Sequence, residues 1–239
     1  MRFMMMHKMT VDMEKGLPPS PEVMEGIGAL MGEAAAQKVF VSGEGLKPSS
    51  QRFHLSYRNG KRTLTEGPVA DAKELPAGFA LLSVKSRDEA LAWLDKFAAV
   101  LGDVDIFVGS VVEPWDFGTP KPENAPLRFL AMHQADSRSE SDAPPSPELM
   151  AKMGALVSEM TQAGVLQTTG GLFSTRQGAR LRFSGGKRTV IDGPFAESKE
   201  LIAGYAVFDL PSKAAAVDWA ARFAEVVQVN EIDVREMVG

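Results

Sequence analysis

No cysteine occurs among the 239 residues, which excludes disulfides, a thiolate nucleophile and thiolate metal ligation together. Histidine is nearly as scarce, at three. No His-x-His or His-x-x-x-His spacing exists, so no metal site is expected. No apolar run approaches the roughly 20 residues of a membrane span, and the opening MRFMMMHKMT lacks a signal-peptide core followed by a small-residue cleavage site. The expectation is a cytoplasmic chain with no membrane partner. A basic excess is missing too: 26 Lys and Arg against 31 Asp and Glu leave a net charge of −5. That balance lacks the cationic stripe demanded by a phosphate backbone, so direct nucleic-acid binding is not expected. Walker, dinucleotide and nucleophile-elbow motifs are absent as well, and no cofactor is expected.

What is present is a duplication. RFMMMHK at Arg2 to Lys8 returns as RFLAMHQ at Arg128 to Gln134, so His7 maps onto His133 by a shift of 126. The same shift carries PPSPEVM onto PPSPELM, NGKRT onto GGKRT, Trp93 onto Trp219 and Phe97 onto Phe223 without a gap. More than a third of the paired positions are identical. Such self-similarity marks a tandem repeat: a first domain over 1–113, a Pro-rich linker over 114–127, and a second domain over 128–239.

Each repeat parses alike. RFMMMHK has the character of a strand with Phe3, Met5 and His7 on one face. SPEVMEGIGALMGEAAAQ reads as a helix with Ser20 as N-cap and Pro21 in its first position. RFHLSYRNGKRTLT is a hairpin turning at Asn59-Gly60, matched by Gly185-Gly186. A strand, a helix opened by SRDEALAW or SKAAAVDW, and a closing strand follow. The order β-α-β-β-β-α-β is a ferredoxin-like pattern with an inserted hairpin, hence class α+β. A four-stranded sheet with both helices on one face leaves its other face bare, so the two copies are expected to pack as an intramolecular pseudo-twofold pair. Exposed sheet edges would also permit a homodimer.

The twin stretches LTEGPVADAKELPAGFALLSV and VIDGPFAESKELIAGYAVFDL hold the most specific motif, and with RFMMMHK, SGEGLKPSS and EPWDFG they resemble the YCII-related, or DGPF-domain, family over nearly all of both repeats. The resemblance implies a dimeric α/β-barrel fold, here formed within one chain. It implies no settled activity. Some relatives act on small cyclic or aromatic compounds, others are encoded beside alternative sigma factors, and a His-Asp pair is proposed as the active site in some. Only Asp192 falls on a motif position.

Two roles stay open for that loop. Gly-Pro sets a tight turn, in which Asp192 could cap backbone N–H groups; alternatively Asp192 is a carboxylate at the mouth of a cleft, poised for proton transfer, and His133 and His7, at equivalent strand positions, are the other acid–base candidates. Glu66 is its counterpart in the first repeat, and Phe195 becomes Val69. Lys73-Glu74 and Lys199-Glu200 read either as solvated pairs or as a lysine gripping an anionic group with a glutamate orienting it. His54 aligns with Arg180, and strand alternation puts Arg52, His54, Ser56 and Arg58, like Arg180 and Arg182, on the face away from the apolar side. That face could favour an anion. Since the second repeat keeps Asp-Gly-Pro-Phe, it is expected to keep the ancestral site. The functional expectation is a binder of a small anionic or aromatic metabolite between the sheets, with turnover, if any, as cofactor-independent acid–base chemistry of an isomerase, lyase or hydrolase type. The alternative is an accessory regulatory module with a sigma-factor-linked protein partner.

Overall fold

A computed structural model describes residues 1–69, 74–196 and 201–238. The first repeat runs β1 (Arg2–Lys8), α1 (Val11–Glu14), α2 (Pro21–Ala36), β2 (Phe40–Gly45), β3 (Arg52–Arg58), β4 (Lys61–Glu66), β5 (Pro76–Val84), α3 (Arg87–Leu101) and β6 (Val104–Ser110). The second runs β7 (Leu127–Gln134), α4 (Pro147–Gln162), β8 (Leu166–Gly171), β9 (Ala179–Ser184), β10 (Lys187–Asp192), β11 (Ile202–Asp209), α5 (Lys213–Val227) and β12 (Glu231–Glu236). Local chemistry sets the helix starts. Ser20, Ser86, Ser146 and Ser212 each accept a hydrogen bond from the backbone N–H three residues on, and a proline fills the first position of α2 and α4. The hairpin turn at Asn59-Gly60 has φ of 52° and 72° at its two residues, as a two-residue turn between twisted strands requires.

The class is α+β, with two antiparallel six-stranded sheets in the orders β10-β9-β12-β1-β11-β2 and β4-β3-β6-β7-β5-β8. Both are ferredoxin-like sheets extended by a hairpin, but neither belongs to one repeat. The β1–α2–β2 segment of the first repeat completes the sheet built from β9 to β12, and β7–α4–β8 of the second completes the sheet of β3 to β6. Each repeat supplies six strands rather than the four expected, and the exchange trades two for two, so each sheet also holds six. The apolar run Phe3 to Met6 explains why β1 sits between β12 and β11: all four residues are at most 4% exposed, a pattern suited to a strand covered on both faces.

The compact units follow this exchange. One comprises Met1–Pro48 with the chain from Leu172 onward, the other Ser49–Gly171. Residues 114–127 lie within the latter, where Glu113 forms a bidentate pair with Arg128 at 2.7 and 2.9 Å. In the first unit the core lies between sheet and helices, from Phe3, Met5, Leu181, Phe208, Ile232 and Val234 to Leu30, Ala34, Trp219 and Ala220. The second holds the equivalent core around Phe53, Leu55, Ile106, Phe129, Leu94 and Leu156. Among the described residues no helix is long and apolar enough to cross a membrane.

Candidate functional site

Alternation along β9 puts Leu181 in the core, so Arg180 and Arg182 point away from the helices, as expected. The anion-favouring character does not follow, because β12 supplies carboxylates on the same face. Nε of Arg180 lies 2.5 Å from Oδ1 of Asp233 and its Nη2 donates to Oδ2 at 2.9 Å, while Glu231 stands 3.4 Å away and also accepts from Arg182 at 2.8 Å. Nζ of Lys8 reaches Asp233 at 3.0 Å, with both side chains 3% exposed. Burial would raise the Asp233 carboxyl, yet Lys8 and Arg180 outweigh it and hold it below its ordinary value. Arg180 is thus committed to neighbours.

Its remaining edge explains the motif phenylalanine. The guanidinium stacks 4.5 Å from the Phe195 ring, and Nη1 donates to the Ala196 carbonyl at 3.0 Å. Asp192 sits elsewhere: its side chain is 75% exposed and lies 2.8 Å from Lys213. Glu66 meets Arg87 the same way at 2.5 Å, so the motif acid of each repeat pairs with the first residue of the following helix. Lys73, Lys199 and Glu200 lie outside the described residues, and Glu74 is buried.

The three histidines occupy different settings. His54 stacks on Phe107 at 4.5 Å with Nε2 3.3 Å from Asp105; burial lowers its pKa although Asp105 pulls the other way. His133 tilts against Phe97 at 5.3 Å, and burial drives its pKa down to about 4 despite Asp136. His7 tilts against Phe223 at 5.4 Å over Gly204, where an added Cβ would lie 2.7 Å from its Nε2. Three strand steps separate β1 from β10, roughly 14 Å at the usual strand spacing, so His7 and Asp192 cannot share one small substrate.

His7 does open onto a groove. A cavity of about 570 Å³ runs beneath α2 at the β2 edge of the first unit's sheet, lined by His7, Met13, Val23, Ile27, Phe40, Gly43, Gly45, Ala206 and Phe223 among others. The register explains the space. Gly45 faces Gly204 and Gly43 faces Ala206, so the floor carries no side chain larger than a methyl on those positions. In the other repeat Gly43 becomes Thr169, which fills the equivalent place and donates to the Phe79 carbonyl at 2.7 Å. Glu44 pairs with Tyr205 one step along and so belongs to the opposite face from His7. Asp12 is then the charged side chain among the lining residues on the His7 side, with no lysine or arginine among the described residues there. No described group of three or more His, Asp and Glu could hold a metal ion.

Neither Phe40, Gly43 nor Phe223 was expected at a site. Two glycines at alternate positions in a strand are the signal that was available, since they mark a close approach or an open surface.

Comparison with known proteins adds family but no activity. The YCII-related domain matches residues 1–107 and again 127–238. An uncharacterized protein of Rhizobium meliloti (strain 1021) is 38% identical over 72 residues, covering 30% of this chain and 58% of that relative's length.

Proposed function

The chain belongs to the YCII-related family in both of its repeats, and from that premise we propose that its first compact unit binds a small, largely apolar organic molecule in the groove beneath α2. Family membership supplies no chemistry by itself, so the site must carry the reading. The observation that carries it is the groove: about 570 Å³, inside the range of about 300–1,000 Å³ usual for small-molecule sites, with apolar and aromatic walls and few polar groups. His7 is the polar handle on its wall. The charge of the lining favours a neutral ligand over the anionic one that Arg180 suggested. Because β2 comes from the first repeat and β11 and α5 from the second, the groove is composite, and the ancestral-site argument for the second repeat alone loses its basis.

Thermal shift and ligand-observed NMR against a library of neutral aromatic and alicyclic compounds test the reading. A ligand at a hundred times its Kd stabilises by about 2.7 kcal/mol. Ile27→Trp, which fills the groove from α2, should abolish binding while the fold persists, and Asp192→Asn should leave it intact. Hits that bind Ile27→Trp equally well, or a library with no hit, would overturn it, and protein capture would then examine the regulatory alternative beside a sigma factor.

A further inference from the structure

Two homologous segments, β1–α2–β2 and β7–α4–β8, meet two homologous seats, β9–β12 with α5 and β3–β6 with α3. Strand pairing and most of the apolar pattern do not distinguish them: Phe3 and Phe129 are both buried, as are Met6 and Met132, although buried Met5 stands where the other segment has buried Ala131. Each segment nevertheless sits on the other repeat's strands. We propose that Lys8 is the key that assigns residues 1–48 to the second repeat's sheet and excludes them from their own.

At the observed seat, Lys8 finds Asp233 at 3.0 Å with both side chains buried. The shift of 126 that relates the repeats replaces Asp233 with Phe107 at the other seat and Lys8 with Gln134 in the other segment. On its own repeat's sheet, Lys8 would face the Phe107 ring, which already stacks on His54 at 4.5 Å. The carboxylate nearby, Asp105, is engaged by Arg58 and by His54. A buried ammonium without its counter-charge is disfavoured by a factor of at least about a hundred. Gln134 suits the seat it has: it is neutral, and its Oε1 accepts from the Leu75 N–H at 2.9 Å. Buried ion pairs contribute little net stability, and their best-attested use is choosing between competing arrangements. The groove depends on that choice, because its floor combines Gly43 and Gly45 with Ala206, but the proposal stands independently of what the groove binds.

The absence of cysteine lets engineered disulfides report the seating. Arg2 pairs with Asp209, whereas its counterpart Arg128 pairs with Ser83, so Arg2 would face Ser83 on its own repeat. In the otherwise native chain, oxidation of the monomer should link Arg2→Cys to Asp209→Cys and should not link Arg2→Cys to Ser83→Cys. Phe107→Asp gives Lys8 a partner at the second seat, and because position 107 is partly exposed the new carboxylate keeps access to water. With it, the 2–83 link should appear in about 10% or more of folded chains, and in a chain that keeps Phe107, Lys8→Gln with Gln134→Lys, which moves the ammonium to the segment seated without a counter-charge, should raise the link further. A folded Phe107→Asp protein that forms the 2–209 link alone overturns the proposal, whatever the double variant does.

Discussion

Oδ1 of Asp192 accepts a 2.8 Å hydrogen bond from Nζ of Lys213, the first residue of α5, and the two side chains are 75% and 38% exposed. An ion pair in that setting tethers a hairpin end to a helix start, and solvent screens most of its energy. Asp192→Asn should therefore change stability by at most about 1 kcal/mol, or about 3 °C in Tm for a chain of this size. Glu66→Gln should behave alike in the first repeat. A fall in Tm well beyond this, or loss of groove binding, would give Asp192 a role that its surroundings do not suggest.

The two motif glycines are required for different reasons. At Gly193 an added Cβ would lie 1.6 Å from the Thr175 carbonyl oxygen and 2.5 Å from its carbon, so backbone itself must move. At Gly67 nothing stands within 4 Å, but φ is +72°, a conformation that costs other residues about 1–2 kcal/mol. Gly67→Ala should lose about that amount, and Gly193→Ala should lose more than about 3 kcal/mol or fail to fold. Urea unfolding of the two variants side by side is the check, and equal losses would contradict the packing account.

The duplication, the helix caps, the hairpins and the class α+β were legible because each rests on neighbours in sequence. So was the outward face of Arg180, since alternation along one strand decides it. Its neutralisation was not legible, for Asp233 lies 53 residues away and reaches it only through the β9–β12 pairing. The exchange of segments was hidden more deeply: RFMMMHK and RFLAMHQ are almost interchangeable as strands, and the one difference in charge between them is a lysine whose partner is more than two hundred residues distant. Phe195 was expected as a ligand-binding residue; its ring lies against the Arg180 guanidinium, so the loss of aromatic surface at Val69 accompanies the change from Arg180 to His54.

His133 supplies the pH dependence. Its folded pKa, about 4, lies below the ordinary imidazole value of about 6.5, so below pH 6.5 the unfolded chain takes up a proton that the folded chain refuses. The contribution is fully present above pH 6.5 and is lost as pH falls toward 4, by up to about 3 kcal/mol. His54, lowered in the same direction by burial, adds to the slope in that window, whereas Asp233, whose pKa is lowered, contributes stability that is lost only at more acidic pH. Urea midpoints between pH 7 and pH 4.5 should therefore decline steeply in the native chain and less steeply in His133→Gln, with His133→Gln/His54→Gln flatter again. Parallel curves for the native chain and His133→Gln would mean that the imidazole is protonated in the folded protein, and that water reaches a ring which the packing against Phe97 and Gly78 shields.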